Sequence, residues 1–303
     1  MDPIAPPTSA SRRSPGARMR ELFNRPGIMI APGVYDGFSL RLVEQMGYKT
    51  AAISGAALSE STLGWADVGI MGYAENLRAS GALAAISSIP LSADGDTGYG
   101  NALNVYFTVQ GFERAGLACL LIEDQVWPKR CGHMEGKQVI GADEMAQKVR
   151  AAVDARTDPD FVIIARTDAR AVEGLDSALD RARRYRDAGA DVLFIEALVS
   201  EAEIEAAAAA FPDVPLLFNW AEGGKTPPVS LGRLTELGYR IVIFPIGTLL
   251  AATAAMRRIL REIAAAGTPA SLLGELPTFG EFTDFIGLPE VRGIEQRYIA
   301  RES

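Results

Sequence analysis

The chain has 303 residues, 48% of them hydrophobic and 22% charged, which is enough to bury a large core in one domain. Its formal net charge of -8 argues against a general nucleic-acid-binding surface, which requires clustered lysine and arginine. Two cysteines cannot form a disulfide framework, and no apolar run is long enough to span a membrane. These features predict a cytoplasmic protein without nucleic-acid or membrane partners.

Residues 1–17 are rich in Pro, Ser and Arg and lack the apolar core of a signal peptide, so we predict a disordered tail. From Arg18 onward, short apolar runs alternate with helical patterns, which is typical of parallel strands joined by crossover helices. Eight runs are candidate strands: IMIAPG, TAAISG, IPLSAD, ACLLIED, FVIIART, DVLFIEA, PLLFNW and RIVIFPIG. Eight such units predict a (β/α)8 TIM-type barrel, an α/β fold, over residues 18–267.

A doubly wound open sheet is the alternative architecture. That fold usually has a glycine-rich dinucleotide-binding turn after its first strand, and IAPGVYDG is not such a turn. Three long stretches show the apolar spacing of helices and end at a glycine suited to a left-handed cap: ALNVYFTVQGFERAG, LDSALDRARRYRDAG and LLAATAAMRRILREIAAAG. The closed barrel is therefore favoured.

Polar side chains stand at the carboxyl ends of six predicted strands, which is where parallel barrels place their chemistry. They are Ser54, Asp94, Glu123, Arg166, Glu196 and Asn219. One such residue could be an ordinary loop residue, but six at the ends of apolar strands cost stability unless they bind something. We therefore expect them to form one site.

The segment SADGDTGYGN places Asp94 and Asp96 two residues apart, and an extended strand end would direct both side chains to the same side. Carboxylate oxygens so placed suit a hard cation, and Glu123 at the next strand end could add a third ligand. The alternative is a turn in which the aspartates accept hydrogen bonds from main-chain amides. The residues alone leave both readings open.

The segment after the fourth strand, QVWPKRCGHMEGKQV, is broken by proline and glycine and is predicted to be a loop. It contains Cys131 and His133, the only histidine of the chain, beside Lys129 and Arg130. Neighbouring cations favour the thiolate form of a cysteine. An inert buried cysteine in a basic turn is the alternative, but the carboxylates at the strand ends favour a catalytic loop.

The string PKRCGH after an IEDQ strand end resembles the isocitrate lyase and phosphoenolpyruvate mutase superfamily, and the resemblance extends over most of the chain. The thiol motif KRCGH is similar to that of the isocitrate, 2-methylisocitrate and 2-alkylmalate lyases. The carboxyphosphonoenolpyruvate mutase shares this thiol loop, so the motif does not separate lyase from mutase. The resemblance agrees with the barrel that the strand count predicts.

The string EGGKTP, from Glu222 to Pro227, contains Gly-Lys-Thr but is not a Walker phosphate loop. Asn219 stands where that motif needs its first glycine, and prolines follow where it needs a helix. Within the resemblance, NxxEGGKTP is similar to the 2-alkylmalate lyases, the petal-death-type oxaloacetate hydrolases and the carboxyphosphonoenolpyruvate mutase. It therefore implies a small dicarboxylate substrate.

The resemblance also implies roles for residues around the site. Asp67 would belong to a gating loop between the second strand and its helix, and the main chain at Ser54 and Gly55 would hold a substrate carboxylate. A further group would contact substrate: Arg166, Gly132, His133, Glu196 and Asn219. A helix cap, a plain turn or ordinary polar residues at the barrel mouth are the structural alternatives.

These roles imply a Mg²⁺-dependent carbon–carbon lyase, with Mn²⁺ as a possible substitute, that acts on a small di- or tricarboxylate. Asp94, Asp96 and Glu123 would hold the metal directly or through water. Arg166 would offset carbanion charge, and Cys131 would protonate the carbanion. Lys129, Arg130 and His133 would keep the pKa of this thiol near neutrality. A phosphonomutase, an oxaloacetate hydrolase and a non-catalytic binding scaffold remain as alternatives.

Residues 268–303 exceed what the barrel requires, and their patterning predicts a helical extension. The resemblance implies that this extension packs on the barrel or on a neighbouring subunit. It also implies a homotetramer built as a dimer of helix-swapped dimers.

Overall fold

The computed structural model describes residues 13–299, and its central feature is a closed barrel of eight parallel strands that neighbour one another in chain order. The predicted (β/α)8 TIM-type barrel is therefore confirmed. The strands are β1 (Met29–Val34), β2 (Ala51–Ile53), β3 (Leu91–Asp94), β4 (Cys119–Glu123), β5 (Val162–Thr167), β6 (Val192–Ile195), β7 (Leu216–Asn219) and β8 (Ile241–Phe244). Seven lie within their predicted apolar runs, and β1 extends one residue beyond its run, to Val34.

Helices follow the strands, and extra helices stand before and after the barrel. They are α1 (Pro15–Phe23), α2 (Gly37–Gln45), α3 (Gly55–Leu63), α4 (Tyr73–Ile86), α5 (Ala102–Arg114), α6 (Ala142–Asp154), α7 (Ala169–Glu173), α8 (Leu175–Asp187), α9 (Glu201–Ala210), α10 (Leu231–Glu236), α11 (Gly247–Ala266), α12 (Phe279–Phe285) and α13 (Leu288–Tyr298). The glycines after α5, α8 and α11 all have positive φ, as the sequence predicted.

The barrel interior is filled by alternate residues of the strands, because successive side chains of a strand point to opposite faces. Nine strand and strand-adjacent residues cluster there with Met19 of α1: Ala118, Cys119, Leu121, Val162, Ile164, Val192, Phe194, Leu217 and Ile241. The intervening residues, such as Ile122 and Ile163, pack against the surrounding helices in a second cluster. This packing leaves polar residues at the carboxyl ends of the strands.

Helix α1 corrects part of the predicted tail. The tail was expected to extend to residue 17, but α1 begins at Pro15, where a proline is preorganised for the first helical turn. Ser14 caps the helix, since its hydroxyl accepts a hydrogen bond from the Ala17 amide at 3.1 Å. The rest of the predicted tail, residues 1–12, lies outside the described residues.

The register between β4 and β5 positions two of the expected site residues. Five consecutive pairs join these strands, and the last of them sets Glu123 opposite Arg166. The barrel closes where β1 pairs with β8, from Met29 opposite Ile241 to Pro32 opposite Phe244. The carboxyl ends of all eight strands therefore meet at one rim.

The described chain divides into two compact units, and the second begins at Leu250, within α11. This division falls before the expected boundary after residue 267, and none of the α11 side chains in the described structure is buried. Residues 250–299 comprise most of α11, a 3₁₀ turn (Ala270–Glu275), α12 and α13. Within this unit the Arg258 guanidinium pairs with the Glu275 carboxylate. Among residues 13–299, no helix is long and apolar enough to cross a membrane.

Candidate active site

One cavity of about 330 Å³ opens at the rim formed by the carboxyl ends of the strands. Five of the six polar residues expected at the strand ends line it: Ser54, Asp94, Arg166, Glu196 and Asn219. Glu123 does not line the cavity but is fully buried beside Arg166. Six of the residues named in the expected loops also line it: Asp67, Lys129, Arg130, Cys131, Gly132 and His133. The strand-end argument thus places the candidate residues together.

Arg166 is surrounded by three carboxylates. Its Nε lies 2.9 Å from Asp168 Oδ2 and 3.2 Å from Glu123 Oε2, and its Nη1 lies 3.4 Å from Glu196 Oε2. The guanidinium also lies over the Phe194 ring, 5.2 Å from its centre. Burial disfavours the charge, but Asp168, Glu123 and Glu196 raise the pKa of Arg166 well above its usual value. Arg166 is therefore a permanent buried cation.

Sequence reasoning missed two charged residues of this cluster, Asp168 and Lys137. Asp168 follows Arg166 by two residues and grips its guanidinium with both oxygens, at 2.9 and 3.1 Å. Lys137 Nζ donates to Asp168 Oδ1 at 2.8 Å. Burial opposes ionisation of Asp168, but Arg166 and Lys137 hold its pKa below the usual value. Both residues could have been identified from the sequence. Asp168 lies in ARTDA, just after a strand that ends in a site residue, and Lys137 lies at the end of the thiol loop.

Asp67 and Lys129 join two loops over the cavity. Lys129 Nζ lies 2.7 Å from the Asp67 carboxylate and 2.7 Å from Asp96 Oδ1, and the Cys131 amide donates to the Asp67 carbonyl at 3.0 Å. Burial opposes the ammonium, but Asp96 and Asp67 raise the pKa of Lys129 well above its usual value. The loop containing Asp67 lies between α3 and α4 rather than directly after β2, because the short α3 intervenes.

The thiol environment corrects one expectation. The pKa of Cys131 is raised, first by burial, rather than held near neutrality by three cations. Lys129 is committed to the aspartates, and the Arg130 side chain is exposed and directed to the Glu135 carbonyl. Only the main-chain amide of His133 gives the sulfur a notable hydrogen bond. Cys131 is therefore a protonated thiol at neutral pH, which is the state a proton donor requires.

Both nitrogens of His133 have fixed partners. Nδ1 accepts a hydrogen bond from the Lys225 amide at 3.0 Å, so the ring proton lies on Nε2, 3.1 Å from Glu196 Oε1. Asn219 Nδ2 donates to Glu196 Oε2 at 3.1 Å. Burial opposes ionisation of Glu196, but Arg166 and His133 lower its pKa to about 2. The imidazole therefore orients Glu196 and connects β6 to the EGGKTP loop.

The three expected metal ligands differ in whether their carboxylate oxygens are already paired. Asp94 Oδ1 accepts the Asp96 amide at 3.0 Å, and Asp96 has φ 49°, so the two side chains do not lie along an extended strand end as predicted. Asp96 is paired with Lys129, and burial raises its pKa to about 6. Glu123 Oε1 is buried without a hydrogen-bond partner. Across residues 13–299, no group of three His, Cys, Asp or Glu residues converges as a metal cluster.

A magnesium ion still fits this donor set. Mg²⁺ commonly binds through one or two carboxylates and keeps several waters, so it does not require three converging side chains. Asp94 lines the cavity, and Glu123 Oε1 is an unpaired buried oxygen nearby in the charge cluster. Gly55 also suits this arrangement, since a Cβ there would lie 2.7 Å from Asp94 Oδ2.

Ser54 and Gly132 also have structural roles next to the cavity. The Ser54 hydroxyl accepts the Ala57 amide at 3.3 Å and caps α3, which agrees with the alternative reading of this residue. Gly132 packs against the charge cluster, and a Cβ at this position would collide with the Arg166 guanidinium and Glu196. The glycine therefore lets the thiol loop lie directly on Arg166.

The chain is similar to a family of lyases and phosphomutases. Residues 19–264 match the family model described as phosphoenolpyruvate phosphomutase. The chain is 40% identical to 2,3-dimethylmalate lyase of Eubacterium barkeri (93% of this chain, 97% of that protein) and 44% identical to 2-methylisocitrate lyase of Aeropyrum pernix (90% and 87%). It is 39% identical to the chloroplastic carboxyvinyl-carboxyphosphonate phosphorylmutase of Arabidopsis thaliana (96% and 88%).

Solved structures show the same architecture. Oxaloacetate acetylhydrolase in complex with the inhibitor 3,3-difluorooxalacetate superposes with a TM-score of 0.90 at 34% identity, over 96% of this chain and 99% of that chain. Phosphonopyruvate hydrolase in complex with oxalate and Mg²⁺ gives a TM-score of 0.86 at 30% identity, over 95% and 100%. The similarity therefore extends over nearly the whole chain.

The raised pKa of Cys131 predicts a slow reaction with iodoacetamide near neutral pH. Only the thiolate is alkylated, so the rate should rise with pH and show a higher apparent pKa than N-acetylcysteine measured beside it. Cys119 is fully buried in the barrel interior and should remain unmodified. Mass spectrometry of the labelled peptides measures both rates. Rapid alkylation of Cys131 at pH 7 would contradict the protonated thiol.

Proposed function

The chain belongs to the phosphoenolpyruvate mutase and isocitrate lyase superfamily, and from this premise we propose that it is a Mg²⁺-dependent carbon–carbon lyase. The proposed substrate is a 2-hydroxy di- or tricarboxylate, and the products are a 2-oxo acid such as pyruvate and a second carboxylate. One observation carries the proposal: a protonated thiol, Cys131, lines the same cavity as the buried cation Arg166. Cleavage of this kind needs both a proton donor and stabilisation of negative charge.

Each charged residue and the thiol have a separate role in the proposed reaction. Asp94 and Glu123 would hold Mg²⁺, which polarises the hydroxy acid when bound. Arg166, already fixed by its carboxylates, offsets the negative charge that develops as the carbon–carbon bond breaks. The Cys131 thiol then delivers its proton to the carbanion. A base other than Lys129 takes the hydroxyl proton as the bond breaks, because Lys129 stays protonated between Asp67 and Asp96.

Binding of the substrate is assigned to the groups around the thiol. Ser54 lines the cavity at the start of α3, and the main chain at Ser54 and Gly55 would take one carboxylate. Four further lining residues would contact the substrate: Gly132, His133, Glu196 and Asn219. Asp67 would close over the substrate, because its carboxylate and carbonyl both attach to the thiol loop.

A small dicarboxylate of the 2-alkylmalate type is the preferred substrate. The cavity of about 330 Å³ is near the lower end of ligand sites. The three cations that line it already have partners: Lys129 pairs with aspartates, Arg166 with three carboxylates, and Arg130 with the Glu135 carbonyl. Little positive charge is therefore free for additional substrate carboxylates. The 40% identity to 2,3-dimethylmalate lyase supports this class, whereas the 44% identity to 2-methylisocitrate lyase supports a tricarboxylate.

Two alternative reactions keep specific support. A phosphonomutase would use the same barrel and metal, and the matching family model and the Arabidopsis thaliana relative are phosphomutases by description. Oxaloacetate hydrolysis is supported by the structural similarity to oxaloacetate acetylhydrolase. A donor thiol is needed where a carbanion must be protonated, which favours carbon–carbon cleavage over the phosphonomutase reaction. The substrate panel below separates the lyase from the oxaloacetate hydrolase.

We also propose that four copies assemble, as a dimer of helix-swapped dimers. Met256, Leu260 and Ile263 follow the spacing of one helical face on α11 and are 53%, 62% and 41% exposed. Phe279 is 83% exposed on α12. Large apolar residues exposed in such numbers are typical of an interface. A reducing compartment such as the cytoplasm is proposed because the mechanism requires a free Cys131 thiol.

With Mg²⁺ present, we expect a 2-alkylmalate to be cleaved with the highest kcat/KM of a panel. The panel contains 2,3-dimethylmalate, citramalate, 2-methylisocitrate and isocitrate, read by 2-oxo acid release, and oxaloacetate, read by its consumption. Chelation should abolish turnover, and Mg²⁺ or Mn²⁺ should restore it, because the metal polarises the hydroxy acid. Full activity of a chelated sample would refute the metal assignment, and turnover of a phosphonate substrate in phosphorus NMR would favour the mutase.

The substitution Cys131→Ser should leave folding and 2-oxo acid binding intact but reduce turnover by about 100 to 10,000-fold, because a hydroxyl is a much weaker acid than a thiol. Steady-state kinetics and calorimetric binding measure the two effects. The substitution Cys119→Ala, in the barrel interior, is the control and should keep turnover. Near wild-type turnover of Cys131→Ser would show that another group protonates the carbanion.

Light scattering should show four chains of 32.3 kDa each per particle. The substitution Leu260→Asp should shift the protein to smaller species, because a charge on the apolar α11 face opposes its burial. A monomeric wild-type protein would contradict the proposed assembly.

A further inference from the structure

Lys137 is a buried lysine that does not line the cavity. Its side chain is 2% exposed, and its ammonium donates to the Gly132 carbonyl and to Asp168 Oδ1, the latter at 2.8 Å. A buried ammonium is costly unless it is paired and hydrogen-bonded, so this lysine is not a surface residue that was covered by chance. Its two partners belong to the thiol loop and to the end of β5.

Asp168 is held rigidly by the barrel. Its two oxygens grip the Arg166 guanidinium, and its amide donates to Asp124 Oδ1 at 2.9 Å. Asp124 is itself fixed, because Thr167 and Tyr185 each donate to its Oδ2 at 2.7 Å. Asp168 is therefore a fixed point, connected on one side to Arg166 and on the other to Lys137.

The thiol loop rests on this fixed point through its main chain. Gly132 lies so close to Arg166 that a Cβ would collide with the guanidinium, and the carbonyl of the same residue accepts from Lys137. Cys131 is the preceding residue, so its position is set one peptide away from the contact. On the opposite side the Cys131 amide is held by the Asp67 carbonyl, which belongs to another loop.

We propose that Lys137 is a positioning residue that fixes the Cys131 thiol relative to Arg166 by tying the Gly132 carbonyl to Asp168. It touches neither the cavity nor the reacting atoms, so it acts through Cys131. The catalytic part of this inference rests on the proposed lyase function, whereas the structural part concerns the thiol loop alone. A reacting group displaced by about 1 Å can lose 100-fold in rate, so an anchor at this place matters for turnover.

The test compares Lys137→Met with the wild type in two measurements. Turnover of the best hydroxy acid should fall by about 100-fold, while KM and the affinity for a 2-oxo acid product stay close to wild type. Alkylation of Cys131 by iodoacetamide should become several-fold faster, because a released loop exposes the thiol. If only the lost charge mattered, alkylation of Cys131 would become slower, because loss of a nearby cation disfavours the reactive thiolate.

Two further variants complete the test. The substitution Lys49→Met removes an exposed lysine outside the site and should change neither measurement. The substitution Lys137→Gln keeps a hydrogen-bond donor without the charge and serves if the Met variant does not fold, with a smaller expected change in both measurements. Thermal unfolding by circular dichroism checks that each variant is folded.

Unchanged alkylation of Cys131 in a folded Lys137 variant would overturn the proposal. Faster alkylation with unchanged turnover would overturn it too, because the loop position would then not matter for the reaction. If the wild type cleaves no hydroxy acid, the lyase function fails separately, and the alkylation measurement still decides whether Lys137 fixes the thiol loop.

Discussion

The buried charge cluster around Arg166 is the interaction on which the rest of the site depends. One guanidinium contacts Glu123 at the end of β4, Asp168 directly after β5, and Glu196 directly after β6. Breaking a buried pair leaves an uncompensated charge and costs about 3 to 5 kcal/mol. The β4–β5 register that sets Glu123 opposite Arg166 is therefore as important for the site as for the barrel. The thiol loop, His133 and Asn219 are all positioned against members of this cluster.

The sequence was sufficient for the barrel, because eight short apolar runs with intervening helical spacing leave few other arrangements. It also placed the polar strand ends together, since parallel strands in a barrel share one rim. It was not sufficient for the local geometry of the β3 loop. Asp96 adopts positive φ, and Lys129 draws its carboxylate away from the arrangement that an extended strand end would give.

The effect of the loop's charges on the Cys131 pKa was the second property that the sequence could not predict. Three basic side chains near Cys131 predict an activated thiolate, yet the two lysines of the loop are paired with carboxylates elsewhere, and Arg130 is directed to the Glu135 carbonyl. Lys129 is paired with Asp67 and Asp96, and Lys137 with Asp168, over 30 residues along the chain. Neighbours in sequence predict a pKa only when their side chains also point at the group, and burial then determined the result for Cys131.

The protonated state of Cys131 has a consequence for the durability of the protein. Peroxides attack the thiolate form of cysteine, and thiols with low pKa and high exposure are the ones oxidised to sulfenic acid. The Cys131 thiol has a raised pKa, and its loop is joined to the Asp67 loop by the ion pair between Lys129 and Asp67. Little thiolate is therefore presented to solvent. The same burial that keeps a proton on the sulfur thus slows its oxidation.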